Sequence, residues 1–169
     1  MVSDATWEDR LADAWVSIDE MAEPDFLALI EDLAAELPQG SAIGSFERAS
    51  AFDSFGYPDR AVPLYRAALQ AGLTGERHRR AVIQLASSLR NLGRPHESIA
   101  LLTAERDAGS DELDDAVRAF LALALADVGR NREALSIALA ALAPHLPRYQ
   151  RSLANYARLL VDPEVAGPF

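Results

Sequence analysis

The side chains that could do chemistry in this 169-residue sequence are arginines, carboxylates, serines and three histidines. All 16 basic residues are arginine, and cysteine is absent. Without lysine the chain has no Schiff-base amine, no P-loop lysine and no serine–lysine catalytic pair. Without cysteine it has no disulfide, no thiolate nucleophile and no cysteine-ligated metal. The guanidinium groups that remain are suited to bidentate recognition of carboxylates.

The histidines, serines and carboxylates show no spacing typical of a catalytic or metal site. His78, His96 and His145 each lack a second metal ligand at i+3 or i+4. Residues 40–44 contain a serine between glycines, but not in the G-x-S-x-G order of a nucleophile. We therefore expect no catalytic residue, no metal and no cofactor. Acidic pairs such as Glu31–Asp32 leave an enzyme with unrecognised carboxylates as an alternative, because paired acids are recognised only by their separation across a cleft.

Charge and hydropathy limit the partners and the location of the chain. A formal net charge of −10 repels phosphate backbones, so we expect no nucleic-acid partner. The basic cluster between Arg77 and Arg90 keeps a regulatory nucleotide or nucleic-acid binder as a second alternative. The first ten residues are acidic where an export signal would be basic. The longest charge-free stretch, residues 134–146, is shorter than the roughly 20 residues of a membrane span, so we expect a cytoplasmic protein without a membrane partner.

Periodic apolar residues place these side chains on paired helices. Within residues 80–102, apolar residues recur at i, i+3, i+4 and i+7 before Gly93, and a second apolar face follows Pro95. Glycine suits the C-terminal end of a helix, and proline suits the first turn of the next one. The same corner recurs at Gly56 and Gly129, so the three glycines are 37 and 36 residues apart. This period is typical of helical-hairpin repeats.

The residues around each corner keep a fixed order of size. Alanine lies seven residues before each glycine, a large apolar residue four before it, and a small residue five after it: Ala49, Phe52 and Ala61; Ala86, Leu89 and Ser98; Ala122, Leu125 and Ala134. Small residues at these positions are expected where two helices cross closely.

These features resemble the tetratricopeptide repeat (TPR) over at least residues 42–142. In the first copy, Gly56 matches the glycine turn of the motif, Ala61 and Ala68 match its small residues, and Tyr65 matches a larger residue. In the third copy, Gly129 matches the turn, Ala134 and Ala141 match the small residues, and Leu121 matches a larger residue. The second copy departs from it at Ser98 and Glu105, and no copy has the motif's tryptophan. The strings ERASAFDS, AVPLYRAAL and QLASSLRNLG are similar to bacterial proteins with the group-five type of this repeat. The resemblance implies an all-α fold, a right-handed solenoid of antiparallel helical hairpins.

The helical-hairpin interpretation also accounts for both ends of the chain. We interpret residues 1–169 as one domain with about seven helices. A degenerate leading hairpin occupies residues 1–38 with its corner at residues 23–25, three repeats occupy 42–142, and a capping helix occupies 147–161 and stops at Asp162-Pro163.

The resemblance also implies a binding groove lined by the first helix of each hairpin. The residues it places there are Glu47, Ser50, Asp53, Arg80, Gln84, Ser87, Arg90, Asn91, Phe120 and Leu123. We therefore predict a non-catalytic protein–protein interaction module that binds a peptide segment, with an acidic segment favoured by the two arginines, or another subunit. Pairing of Glu47 and Asp53 with Arg80 and Arg90 inside the protein is the alternative role for these charges. An apolar strip at Ala119, Phe120, Leu123 and Ala126 predicts a homodimer contact.

Overall fold

The structure, a computed structural model, describes residues 6–162 and is helical throughout. The helices are α1 Trp7–Val16, α2 Glu23–Ala35, α3 Ala42–Ser54, α4 Pro58–Gln70, α5 Gly75–Asn91, α6 Pro95–Ala108, α7 Asp114–Asp127, α8 Asn131–Leu142 and α9 Gln150–Leu159. The described residues contain no β-strand. The all-α, helical-hairpin fold class is confirmed, with nine α-helices in the described residues where the sequence indicates about seven.

The chain divides into two compact units, Met1–Ser88 and Leu89–Phe169, with the boundary inside α5. In the first unit α1 packs on α2, α2 on α3, and α3 on α4. In the second unit α6 packs on α7, α7 on α8, and α8 on α9. Packing between sequence neighbours is what a hairpin repeat requires. The assignment of residues 1–169 to a single domain stays a prediction.

The three predicted corners at Gly56, Gly93 and Gly129 are confirmed. Their φ angles are 78°, 73° and 79°, a left-handed conformation that favours glycine. At Gly56 the glycine N–H donates to the carbonyl three residues earlier, and the next N–H donates to the carbonyl five residues before it, both at 3.0 Å. The same two bonds close α5 and α7. This is the Schellman pattern, which satisfies the last carbonyls of a helix.

The small residues predicted at the helix crossings are buried. They are Ala49, Ala86, Ala122, Ala61, Ser98 and Ala134, none more than 7% exposed. Two of the three large residues, Leu89 and Leu125, are also buried. Phe52 is half-buried, and the Arg60 guanidinium lies 3.7 Å from its ring centroid. The arginine therefore covers part of a ring that the packing of the helices leaves open.

The leading hairpin packs on α3 through aromatic side chains. The rings of Trp15, Phe26 and Phe55 lie edge to face in a row, with centroid distances of 5.2 and 5.8 Å. Buried apolar residues of α1 and α2 join Ala51 of α3 in the same cluster. This aromatic row holds α1 beside the repeats, so that its polar residues can reach side chains of α3.

The corner of the leading hairpin lies earlier than the sequence indicates. The chain turns in a 3₁₀ segment, Ile18–Glu20, and residues 23–25 are already the first turn of α2. The physical reason is that Pro24 lacks an N–H, which a first helical turn does not need.

The predicted capping segment at residues 147–161 contains α9, which packs on α8. Ala157 is fully buried, and the leucines on either side of it are half-buried. Tyr156, which the sequence pattern places on the packing stripe, is 54% exposed. The predicted stop signal extends to Pro163, which lies outside the described residues.

Candidate functional site

A buried carboxylate, Glu47, joins α1, α3 and α5 within the first unit. Its side chain is 3% exposed. Trp15 Nε1 donates to Glu47 Oε2 at 2.9 Å, and Arg77 Nε donates to Oε1 at 3.1 Å. Burial raises the pKa of the Glu47 carboxyl, while the hydrogen bond from Trp15 and the charge of Arg77 oppose that increase. Since each oxygen accepts from a side chain of another helix, Glu47 links the three helices.

Arg77 connects this buried acid to the surface of α1. Its Nη1 and Nη2 donate to the two carboxylate oxygens of Glu8 at 3.1 and 2.6 Å. The hydrogen bond to Glu8 raises the pKa of the Arg77 guanidinium, and the charge of Glu47 adds to the increase. The sequence places Arg77 in an open basic cluster. In the structure two glutamates neutralise it.

A second polar network surrounds Asp53, which is half-buried. The Ser88 hydroxyl donates to Asp53 Oδ1 at 2.6 Å, and the Tyr65 hydroxyl lies 3.3 Å from Oδ2. Burial raises the pKa of the Asp53 carboxyl, opposed by these two hydrogen bonds. Burial and the charge of Asp53 raise the pKa of Tyr65. The Ser50 hydroxyl lies 3.5 Å from both the Tyr65 hydroxyl and Gln84 Oε1, so three predicted groove residues, Ser50, Asp53 and Gln84, come together here.

Arg80 has the most exposed side chain among the charged residues predicted to line the groove. Its side chain is 43% exposed, against 27% for Arg90. The guanidinium carbon lies 5.3 Å from the Phe46 ring centroid, within cation–π range. Its ion pair with Glu76 is long, at 4.0 Å. The guanidinium therefore keeps donor capacity toward solvent. Ser87, on the same helix, is half-buried.

Two cavities in the first unit share Arg77 and Arg80. The larger has a volume of about 630 Å³ and is lined by residues 41–43, residues 72–74, Glu76 and the two arginines. The smaller, of about 180 Å³, is lined by Glu8, Leu11, Ala12, Trp15, Glu47 and the same arginines. The larger volume lies within the usual range of ligand-binding clefts. We call the surface formed by the two cavities the Arg80 surface.

The second unit contains the other predicted groove residues. Arg90 Nε donates to Asp127 Oδ2 at 2.5 Å, so this guanidinium has a carboxylate partner in the next repeat. Asn91 is exposed. Phe120 is half-buried, Leu123 is 46% exposed, and the alanines of the same strip are exposed. The apolar strip is thus accessible in part.

Sequence reasoning missed the partners of Glu47 and Asp53. Internal pairing does occur, but Glu47 binds Trp15 and Arg77, and Asp53 binds Ser88 and Tyr65, in place of the expected arginines. One signal was present, since Trp15 lies on the apolar face of α1 and the N–H of a packed tryptophan needs an acceptor.

Residues 6–162 contain neither a metal-binding cluster nor a membrane-spanning helix. Within this range no three His, Cys, Asp or Glu side chains are grouped so that they could hold a metal ion. No helix in the same range is long and apolar enough to cross a membrane.

The arrangement of hairpins and the buried small residues agree with a comparison against protein families. The model described as tetratrico peptide repeat matches residues 42–160, the three central hairpins and α9. The chain belongs to the tetratricopeptide repeat family. The match is to the group-five type, and this family consists of protein-interaction modules that are generally non-catalytic. Comparisons with curated proteins and with solved structures give no match.

Proposed function

We propose that this TPR chain is a non-catalytic, cytoplasmic interaction module that binds an acidic segment of a partner protein at the Arg80 surface. The observation that carries the proposal is the Arg80 guanidinium, exposed at a cavity of about 630 Å³, packed over the Phe46 ring and joined to a carboxylate by a long ion pair of 4.0 Å. A carboxylate of the partner would replace that weak contact with a short bidentate one.

The partners of the neighbouring arginines favour Arg80 as the anchor. Arg77 binds two glutamates, and Arg90 binds Asp127. A ligand carboxylate would have to displace these short ion pairs to reach either guanidinium. Phe46 lies beneath Arg80 and limits its conformations, which reduces the entropy lost when a ligand binds.

The lining of the larger cavity suits a polar peptide segment. The Ser41 hydroxyl caps α3 by accepting from the Gly44 N–H at 3.2 Å, and Thr74 directly precedes α5. Both hydroxyls can hydrogen-bond to a peptide backbone. The half-buried Ile43 adds a small apolar contact. Together these groups favour an extended segment with at least one aspartate or glutamate.

The same contacts weigh against the two alternatives from the sequence. An enzyme that uses carboxylates as catalytic groups needs acids that face a substrate. Both oxygens of Glu47 and both oxygens of Asp53 instead lie beside side-chain donors of the protein itself. A nucleic-acid binder centred on the cluster between Arg77 and Arg90 needs unpaired cations there, but carboxylates bind both of these arginines. The assignment as a non-enzyme without a nucleic-acid partner is therefore part of this proposal.

A second partner is proposed for the apolar strip in the second unit. Leu123 is 46% exposed beside the half-buried Phe120, and contiguous apolar surface favours a protein contact. A homodimer through this strip predicts that Phe120→Glu shifts the protein to monomer in sedimentation velocity. A wild type that is already monomeric, or a dimer that the substitution leaves intact, would exclude the strip as the dimer contact.

The proposed peptide site is tested by fluorescence anisotropy with two sets of short labelled peptides. The two sets have the same length and the same residue order, except that every Asp and Glu of the acidic set is replaced by Asn and Gln in the other. We expect binding of the acidic set, weakened at least about tenfold by Arg80→Ala because a charge-assisted hydrogen bond contributes roughly 1.5 to 3 kcal/mol. Arg60→Ala is the matched control, since Arg60 is an exposed arginine on α4 outside both cavities. Equal affinity for the two peptide sets, or equal loss in both variants, would contradict the proposal.

A further inference from the structure

The leading hairpin has an acidic outer face. Residues 6–36 contain ten acidic residues and one arginine. On α2, Asp25 and Asp32 are exposed and seven residues apart, so they lie on one face, away from the buried Phe26 and Ile30. Within the described part of the chain, neither aspartate forms an ion pair. This face therefore presents two available carboxylates about 10.5 Å apart along the helix axis.

The C-terminal helix has a face of opposite charge with the same spacing. Residues 130–160 contain five arginines and one acidic residue. On α9, Arg151 and Arg158 are exposed and also seven residues apart, while Ala157 is buried. Arg158 Nη2 donates to Asn155 Oδ1 at 2.5 Å, so its guanidinium is held along this face. The two cations are again separated by about 10.5 Å along the axis.

We infer that α9 of one copy docks on α2 of a second copy, with Arg151 and Arg158 paired to Asp25 and Asp32. The matched spacing lets both ion pairs form in a parallel or an antiparallel arrangement of the two helices. A small residue lies between the charges on each helix, Ala28 on α2 and Ala154 on α9, which allows close approach. The second copy is the chosen occupant because each face complements the other in charge and in spacing.

The geometry also determines the kind of assembly. The two faces are different surfaces, so the contact is heterologous, and a pair joined by one contact leaves one α2 and one α9 face open. Further copies can add to these faces, or the two open faces can meet and close a ring, of which a reciprocal dimer is the smallest. Exposed ion pairs contribute little each and are screened by salt. The association is thus weak, favoured at high protein concentration and low ionic strength, and separate from the Arg80 surface.

Charge reversal on each face tests this inference. The first variant is Arg151→Glu with Arg158→Glu, and the second is Asp25→Arg with Asp32→Arg. Each variant alone has two faces of like charge, so self-association is blocked. An equimolar mixture of the two restores both kinds of contact, because every α9 then meets an α2 of opposite charge. Circular dichroism checks whether both variants remain helical, and sedimentation equilibrium at low salt measures the average mass.

We expect the wild type and the mixture to gain mass with concentration beyond any dimer formed through the apolar strip, and each variant alone to show no such gain, with an apparent dissociation constant for this contact raised at least about tenfold. Raising the salt to about 0.5 M should abolish the gain in the wild type. A monomeric mixture, or a wild type whose mass is independent of concentration at low salt, would overturn the inference. So would a wild type that remains monomeric but binds polyanions such as poly(A) through Arg151 and Arg158. Phe120→Glu should leave this association intact.

Discussion

Replacing Ala86 with leucine tests whether the buried small residues mark close helix crossings. Ala86 is fully buried on α5, and its neighbours Leu85 and Leu89 are 2% and 0% exposed. Leucine adds three carbon atoms at a position that has no access to solvent. Overpacking of a well-packed core lowers the free energy of unfolding by roughly 1 to 3 kcal/mol. For a chain of this length that corresponds to a melting temperature lower by about 2 to 12 °C.

The matched control for this substitution is Ala67→Leu on α4, where the alanine is exposed. Alanine and leucine have similar helix propensities, so the control should change the stability by less than about 0.5 kcal/mol. Urea unfolding followed by circular dichroism measures both variants. If Ala86→Leu is as stable as Ala67→Leu, the buried face of α5 has room for a large side chain, and the close-crossing interpretation is wrong.

Two further predictions concern the Glu47 network. Trp15→Phe removes the N–H that donates to Glu47 and also part of the ring that packs on Phe26, so we expect a loss of roughly 1 to 3 kcal/mol in urea unfolding; a loss below about 0.5 kcal/mol would contradict this. Burial raises the folded-state pKa of Glu47 above the ordinary 4.5, so the stability this group contributes is present below pH 4.5 and is lost as the pH rises through the raised pKa. The wild type should therefore lose stability relative to Glu47→Gln as the pH of the urea titrations increases from about 4 to 8; a difference that is constant or rises with pH would refute the assignment.

The corners and crossing positions could be predicted because each depends on nearby residues. Gly56, Gly93 and Gly129 end helices through their own backbone conformation, and alanine seven residues earlier follows from the helical period. The family could be predicted because the same pattern of residues occurs three times along the chain. A single glycine or alanine would have carried little of this information.

The side-chain partners of Glu47 and Asp53 could not be predicted. Glu47 and Arg77 are 30 residues apart, and helical periodicity gives the face on which a residue lies but not the side chain opposite to it. The pattern also does not separate Arg77 from Arg80, three residues later on the same helix. Two glutamates bind the first, while the second has a long ion pair and an exposed side chain. Both arginines line the two cavities, and only the packed structure shows that Arg77 is already paired at short distance while Arg80 is not.

The central claim, recognition of an acidic segment at Arg80, is tested most directly by mapping the bound peptide with ¹H–¹⁵N NMR. An acidic peptide titrated into the labelled protein should shift the backbone signals of residues 41–43 and 72–76 and the side-chain Nε–H of Arg80. The matched peptide with Asn and Gln should shift them much less, and the Nε–H of Arg60 should stay unchanged in both titrations. Shifts confined to other helices, or equal shifts with both peptides, would contradict the proposed site.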